Sequence, residues 1–365
     1  LEMLAMKASA DFWSGKRVFL TGHTGFKGSW MSLMLTTLGA QVRGFSLEVM
    51  PKQLFDLAQI ASVVEHRIGD INNAELIKKE IMEFKPDVIF HLAAQSLVAT
   101  GYQDPLSTLD TNIMGTAKLL DSLKDWPLPL AVIVVSSDKC YQPSDGNYSF
   151  IESDRLGGFD PYSCSKAGCE LVVNAYRASF FGNSPQIGIA SVRAGNVIGG
   201  GDYAVNRIIP DTMAAIVRRK HVALRHPDAV RPWQHVLDAL HGYLLLAEAL
   251  YQQPQKYAEA WNFGPLAKDM LTVGELVQRC YQHMGMQYCF ESQFSQFKET
   301  EILLLDSTKA RESLQWQPHW SLNQTIEKIL EWYLGVADGA DVRLLTQAQI
   351  HHYMNSSLSE TGACL

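Results

Sequence analysis

Charge is scarce in this sequence. Charged residues make up 19% of the 365 positions and hydrophobic ones 47%, a balance that excludes a disordered chain and supplies ample material for a core. Basic residues do not predominate either: 31 Lys and Arg stand against 38 Asp and Glu, a net charge of −7. A nucleic-acid binder working by phosphate neutralisation carries basic stripes instead, so no nucleic-acid partner is expected. No apolar run approaches the roughly 20 residues that cross a bilayer, and no membrane partner is expected. Met3 to Ala10 is short and mixed, without an apolar stretch of secretory-signal length, and Leu1 to Ala5 stay outside the fold argument. The six cysteines, Cys140, Cys164, Cys169, Cys280, Cys289 and Cys364, include no Cys-x-x-Cys pair. Free thiols in a reducing cytoplasm are expected. No His, Cys and carboxylate group has metal-ligand spacing, so no metal is expected. Repeats, low-complexity linkers and charge blocks are absent too.

What the sequence does have is an alternation of short apolar runs and helical patterns. Strands are expected at Arg17–Thr21, Gln41–Ser46, Asp87–His91, Leu130–Val135 and Ile187–Arg193, with another ending at Arg67–Asp70. Helices are expected at Ser29–Leu38, Asn73–Phe84, Leu106–Leu123 and Tyr162–Phe181. Continuously apolar strands are buried on both faces, the habit of a parallel sheet covered by helices. The predicted fold class is therefore α/β, a doubly wound parallel sheet with ligands at the carboxyl ends of its strands. After Arg193 the pattern is less regular: helices at Ile208–Arg218, Val236–Leu250, Val273–Met284 and Leu322–Leu334, short strands at His221–Arg225 and Ala260–Phe263, and a weakly patterned tail from Leu344 that reads as a surface helix or a frayed end. This suggests a dinucleotide-binding domain over residues 11–195, to which 235–264 returns. A smaller α/β substrate-binding lobe would comprise 196–234 and 265–345, and 346–365 would be a tail.

Gly22-His23-Thr24-Gly25-Phe26-Lys27-Gly28 joins the first strand to the first helix. A glycine turn alone is weak evidence, but one between a first strand and a helix is strong. Gly22 permits the tight turn, Gly25 lets backbone approach a diphosphate, and Gly28 lets helix and strand pack closely. The helix N-terminus adds free N–H groups and a positive dipole end. At the tip of the second strand, where an acidic residue would bind the adenosine ribose, stands Ser46, with Glu48 two residues on. Arg43 lies inside the strand, so this position leaves NAD and NADP open. Asp70 and Ile71 follow the third strand and are placed to meet the adenine edge; Asp70 as a helix cap is the competing reading.

Val134-Val135-Ser136-Ser137-Asp138-Lys139 closes the fifth strand, and Tyr162-Ser163-Cys164-Ser165-Lys166 opens the next long helix. Tyr162 and Lys166 share one helix face. A tyrosine with an ordinary pKa near 10 is a poor base at neutral pH. A neighbouring ammonium and a positive nicotinamide ring would lower it by stabilising the phenolate. Tyr-x-x-x-Lys occurs often by chance; with the glycine turn and a serine at the fifth strand end it becomes specific.

These residues together resemble the extended short-chain dehydrogenase/reductases, in their nucleotide-sugar-modifying branch, over nearly the whole chain. The likeness includes His91-Leu92-Ala93-Ala94-Gln95, Asn112-Ile113-Met114-Gly115-Thr116, Arg193-Ala194-Gly195-Asn196-Val197 and Arg231-Pro232-Trp233-Gln234-His235-Val236-Leu237-Asp238. Ser137-Asp138-Lys139 is similar to the triplet of the sugar-nucleotide 4,6-dehydratases. It departs from their usual Thr-Asp-Glu in having Ser for Thr and Lys for Glu. With the run Gly22 to Trp30, the Asp-Lys pair most resembles the members that act on CDP-glucose.

The resemblance implies NAD as cofactor and dehydration of CDP-glucose to CDP-4-keto-6-deoxyglucose, by C4 oxidation, loss of water across C5 and C6, and hydride return to C6. The implied catalytic residues are Ser137, Asp138, Lys139, Tyr162 and Lys166. Ser137 would orient the 4-hydroxyl, Tyr162 take its proton, and Lys166 hold the nicotinamide ribose. Asp138 would protonate the leaving 6-hydroxyl. Lys139 would either take the C5 proton or only orient Asp138. The implied cofactor residues are Gly22, His23, Thr24, Gly25, Phe26, Lys27, Gly28, Ser46, Asp70, Ile71, Leu92, Ala93, Ala94, Gln95, Asn112, Tyr162 and Lys166. Ser137, Asn196, Arg207 and Arg231 would bind substrate, the arginines suiting phosphate oxygens. Arg225 and His226 would lie near the base, and His91 would pack rather than react. The family also implies a homodimer through the two long helices, and a role in the deoxysugars of a cell-surface polysaccharide. A nucleotide-sugar epimerase or reductase is the alternative, favoured if Asp138 points away from the reaction. A dinucleotide-binding redox sensor is the other; such proteins typically lose the Tyr and Lys that this sequence keeps.

Overall fold

The computed structural model describes residues 10–144, 146, 148–288 and 302–356; Cys289 and Cys364 lie outside them. Seven parallel strands form the central sheet: β1 (Arg17–Thr21), β2 (Gln41–Ser46), β3 (Glu65–Ile68), β4 (Val88–His91), β5 (Leu130–Val135), β6 (Ile187–Ala194) and β7 (Ala260–Phe263). Their order is β7-β6-β5-β4-β1-β2-β3. All six residues of β5 and all eight of β6 are buried, as strands covered on both faces must be. Separate apolar clusters fill the two sides. One holds Ile77, Ile81, Leu119, Leu120 and Val173. The other holds Trp30, Leu33, the helix Val236–Gln252 and the C-terminal helices. The doubly wound sheet is thus the expected one, and β7 brings the chain back to it beside β6.

The two long helices form with a change of pitch. Pro105–Leu109 and Gly115–Asp121 are joined by a π turn, Asp110–Met114, and Pro161–Tyr176 runs into another, Arg177–Phe181. A π turn inserts an extra residue and re-aims those beside it; here the first carries Asn112.

The second lobe differs from expectation in its strands. His221–Arg225 forms no strand among the described residues. The lobe's sheet is built instead from Asn196–Ile198, Val230–His235 and Met270–Thr272. Val230–His235 mixes charge, proline and aromatics, so no period-2 signal marks it. Its residues are nonetheless mostly buried, because the strand lies between two others. The tail is an ordered helix, Val342–Ser356, with Ile350 and Tyr353 buried. Arg343 ties it to the segment after β2 through the Ala58 carbonyl, at 2.7 Å. No helix among the described residues is long and apolar enough to cross a membrane.

Candidate active site

A cleft of about 1250 Å³ opens along the carboxyl ends of the strands and runs under the second lobe. One drug-sized ligand usually occupies 300–1,000 Å³, so this cleft has room for two.

One end is the glycine turn. Gly22 has φ +72°, and a Cβ there would sit 2.7 Å from the Ala93 nitrogen; at Gly28 a Cβ would meet the Gly22 carbonyl at 2.2 Å. Both glycines are required by the protein's own packing. Gly25 is different. It caps the helix Phe26–Thr37 at φ −75°, and a Cβ there would meet only the Gly22 oxygen, at 3.4 Å. Its bare backbone leaves open space at a helix N-terminus, which fits a ligand diphosphate. The Thr24 and Ser46 hydroxyls bond each other at 2.8 Å, joining the turn to the β2 tip. Arg43 is engaged by Glu65 and Glu80, so no strand arginine is available for a 2′-phosphate. Asp70 accepts from the Asn72 N–H at 2.8 Å. Asn73 rather than Asp70 caps the following helix, which leaves Asp70 and Ile71 on the cleft wall.

Leu92, Ala93, Ala94 and Gln95 form the floor. Asn112 stands behind them: its Oδ1 accepts from the Gln95 N–H at 2.8 Å, and its Nδ2 donates to the Gln95 carbonyl and to Ser165 Oγ. It fixes the floor to the helix of Tyr162 and does not line the cleft. His23 does not line it either. Its ring is buried under the turn, with Nε2 2.7 Å from His66 Nδ1, and burial with that second imidazole holds its pKa down to about 3. Neither the His23 ring nor the Asn112 amide faces the cleft. His91 packs between Thr21 and Thr116.

The middle of the cleft gathers Ser137, Asp138, Lys139, Tyr162 and Lys166. Ser137 caps the turn Asp138–Cys140 by accepting from the Lys139 N–H, and its hydroxyl donates to Asp138 Oδ1 at 3.0 Å. Asp138 is 3% exposed, and its Oδ2 has no hydrogen-bond partner among the described residues. Burial raises its pKa, against the downward pull of Lys139, Ser137 and Arg231. Asp160 caps the next helix through the Ser163 N–H, with Pro161 at its first position, and so sets the Tyr162 and Lys166 directions. The Lys166 ammonium donates to the Val135 carbonyl at 3.2 Å. Ser137 and Arg207 favour the Tyr162 phenolate, yet burial pushes the phenol up to about 12. The lowering expected from Lys166 is therefore not produced by the protein's own groups.

The far end belongs to the second lobe. Asn196, Arg207, Arg225, His226 and Arg231 line it. Arg231 is 3% exposed and close enough to act on Asp138. Arg207 reaches across the mouth, donating to Asp202 Oδ2 and Ser96 Oγ, both at 3.0 Å. Sequence reasoning missed Ser96 to Thr100, Thr111 and Trp233 on the walls. The small and apolar residues that follow Gln95 carry no motif, and only the closing of the lobe makes them a wall.

The family profile described as GDP-mannose 4,6 dehydratase matches residues 19–329. The CDP-glucose 4,6-dehydratase of Salmonella typhimurium is 42% identical over 354 residues, 95% of this chain and 98% of that protein. The dTDP-glucose 4,6-dehydratase of Xanthomonas campestris is 24% identical, covering 88% and 96%. Among solved structures, the dTDP-glucose 4,6-dehydratase of Streptomyces venezuelae with NAD bound superposes with a TM-score of 0.77 at 24% identity, covering 89% of this chain and 99% of that one. The UDP-glucose 4-epimerase of Thermotoga maritima gives the same TM-score at 21% identity, covering 88% and 99%.

Proposed function

This chain belongs to the GDP-mannose 4,6 dehydratase family, and from that premise we propose that its cleft holds NAD and dehydrates CDP-glucose to CDP-4-keto-6-deoxyglucose. The nucleotide follows from the 42% identity along nearly the whole chain to a CDP-glucose 4,6-dehydratase. The observation that carries the dehydration is Asp138, a buried carboxyl with a raised pKa and one unpartnered oxygen, hydrogen-bonded to Ser137 at the cleft centre.

The turn from Gly22 to Gly28, with Ser46, Asp70 and Ile71, would hold NAD, and Leu92 to Gln95 would carry it past the floor. When bound, NAD would supply the acceptor for the C4 hydride and its donor to C6, and its positive ring would add to the phenolate stabilisation that burial outweighs at Tyr162. Ser137 orients the 4-hydroxyl and Tyr162 removes its proton. Lys166, anchored on Val135, holds the cofactor ribose beside Tyr162. The new ketone acidifies C5; Lys139 takes that proton and gives it back to C5 as the hydride reaches C6. Asp138 gives its proton to the departing 6-hydroxyl, which leaves as water. Asn196, Arg207 and Arg231 bind the substrate diphosphate, Arg207 exchanging its Ser96 bond for phosphate oxygens. An epimerase needs no acid at position 138, and the carboxyl facing the cleft disfavours that reading.

The two long helices leave Leu106, Met114, Leu171 and Phe180 between 48% and 78% exposed. These side chains are the material of a homodimer interface, which sedimentation of the purified protein tests directly. Free thiols at Cys140, Cys164, Cys169 and Cys280 favour the cytoplasm.

The test of function incubates the protein and NAD with CDP-, UDP- and dTDP-glucose and follows product mass. Loss of water from CDP-glucose alone is expected. Turnover without water loss moves the reading to epimerase or reductase, and no turnover with any of the three removes it.

A further inference from the structure

The crossover from β2 to β3 walls the cleft at its glycine-turn end. Leu47, Glu48, Met50 and Gln53 line that wall. Leu47 and Met50 are 63% and 69% exposed, apolar surface that a ligand lying there would cover. Behind the wall Gln53 starts a helix of only four residues, Leu54–Leu57, too short to hold itself. Lys52 and Gln59 flank it at φ 63° and 49°, values that a non-glycine residue keeps only where its neighbours fix them. The inner face is fixed by packing: Leu54 and Phe55 are buried, and Phe55 stands edge-on to the His23 ring at 5.0 Å. The far end is not, since Gln59, Ala61 and Ser62 are exposed. There Arg343 takes over. Its Nε donates to the Ala58 carbonyl at 2.7 Å, and its Nη2 donates to the Gln59 carbonyl and, at 2.8 Å, to Ser62 Oγ. Ser62 Oγ in turn donates to the Gln59 carbonyl at 2.9 Å. The guanidinium thus closes on the strained residue from both sides. It comes from the C-terminal helix Val342–Ser356, which is bonded to the helix Leu322–Ala337 through Trp332 Nε1 to Thr346 Oγ1 at 3.0 Å and Gln349 Nε2 to the Lys328 carbonyl at 2.8 Å. The match to the family profile ends at residue 329, before this helix.

We propose that Arg343 is a positioning residue for the dinucleotide: from the C-terminal helix it holds the β2–β3 crossover as a preformed wall, and so sets how long the cofactor stays bound. The proposal rests on the reading that this end of the cleft takes NAD. A wall that is already ordered need not be ordered when the ligand arrives. A planar guanidinium suits the task, because its donors are fixed in one fork and little freedom is lost per bond. Its effect falls on release more than on arrival, as most differences in affinity do. The sugar nucleotide binds at the other end of the cleft, against the second lobe, so its affinity does not depend on this wall. Long residence also suits the chemistry. The hydride returns to the substrate within each cycle, so the cofactor need not leave between turnovers.

The experiment loads the full chain with NADH, displaces it with excess NAD and follows the fluorescence to give the release rate. Calorimetry of CDP into the NAD-saturated protein is the second arm. Arg343→Met is expected to release NADH about tenfold faster, less than the whole of one charge-assisted hydrogen bond. The NAD concentration for half-maximal turnover should rise by about the same factor, with kcat at saturating NAD and CDP affinity unchanged. Arg343→Lys, which keeps the charge but not the fork, is expected to fall between the two. Ser62→Ala removes one acceptor from an exposed turn, leaves the C-terminal helix untouched, and is expected to speed release about twofold. It decides the matter should Arg343→Met fail to fold. Release at the parental rate in Arg343→Met, or in Ser62→Ala where Arg343→Met does not fold, overturns the proposal. Equal losses of NADH and CDP binding overturn it too, since they make Arg343 a brace of the whole fold. A parent protein that binds no NADH instead removes the cofactor reading on which the proposal rests.

Discussion

Glu170 and Arg193 form a two-pronged buried ion pair one helical turn beyond Lys166. Arg193 Nε lies 2.9 Å from Glu170 Oε1 and Nη2 lies 2.8 Å from Oε2, with both side chains at most 4% exposed. Ser191 donates to the same carboxylate, and Arg193 also donates to the Tyr141 hydroxyl and the Glu152 carbonyl. The pair pins the helix of Tyr162 and Lys166 to β6 and, through Tyr141, to the segment after Asp138. Removing one partner leaves a buried charge uncompensated, at a cost of about 3–5 kcal/mol. Arg193→Met is expected to lower unfolding stability by that amount in denaturant titrations. Glu170→Leu combined with Arg193→Met should recover much of it. If the double variant is as unstable as the sum of the two single ones, the pair is not the unit described.

The glycine turn separates packing from ligand binding. Gly28→Ala drives a methyl into the Gly22 carbonyl, 2.2 Å away, and is expected to lower Tm by several degrees, as overpacking of about 1–3 kcal/mol does. Gly25→Ala meets only a 3.4 Å contact at an ordinary φ. It should melt within about a degree of the parent, since it adds no strain, and yet lose most of its NAD affinity. A Gly25→Ala protein that binds NAD normally would show that the diphosphate does not approach there.

Asp138 and Lys139 are separable by isotope exchange. Asp138→Asn keeps the hydrogen bond to Ser137 but has no proton to give the 6-hydroxyl. In deuterated water it is expected to exchange the C5 hydrogen of CDP-glucose while water loss falls by at least about 100-fold, the usual weight of a general acid. Lys139→Met is expected to lose the exchange itself. Should Lys139→Met still exchange C5 at the parental rate, Lys139 only orients Asp138 and another group is the base.

Most of the sheet was legible because each strand of the first half is an apolar run bounded by breakers, such as Pro86 before β4 and the glycine turn after β1. That Ser137, Asp138, Lys139, Tyr162 and Lys166 meet in one cleft was legible because strand ends and a helix start set their spacing. The place of the His23 ring was not legible because the motif gives backbone positions, while burial decides where the ring goes: Gly44 leaves room for it beneath the turn, a Cβ there falling 2.2 Å from the imidazole. The direction of the Asn112 amide was not legible for a related reason, since the π turn aims it at Gln95. The strand Val230–His235 was invisible because burial between two neighbours, not alternation, stabilises it. Glu170 carried no signal of its own; that it falls one turn after Lys166 and opposite Arg193 is a fact of packing.

Asp238 makes stability depend on pH. It is fully buried in the helix Val236–Gln252, and its Oδ1 accepts from the Tyr353 hydroxyl and the His319 N–H, both at 2.7 Å. The C-terminal helix is thus fastened to the core through a carboxyl whose pKa burial raises to about 7. A carboxyl raised in the folded state holds its proton there after the unfolded chain has released it. Its contribution is present in full below about pH 4 and is lost as pH rises through about 7, at up to ~1.4 kcal/mol per unit. Asp238→Asn keeps an oxygen acceptor and cannot ionise. Its Tm, relative to the parent, is expected to rise between pH 5 and pH 8 by several degrees and then level off, since groups common to both proteins cancel in the difference. Tyr353→Phe, which removes one donor to the carboxylate, should carry the parental decline to higher pH. A difference between Asp238→Asn and the parent that stays constant with pH would mean that Asp238 is not held protonated in the fold.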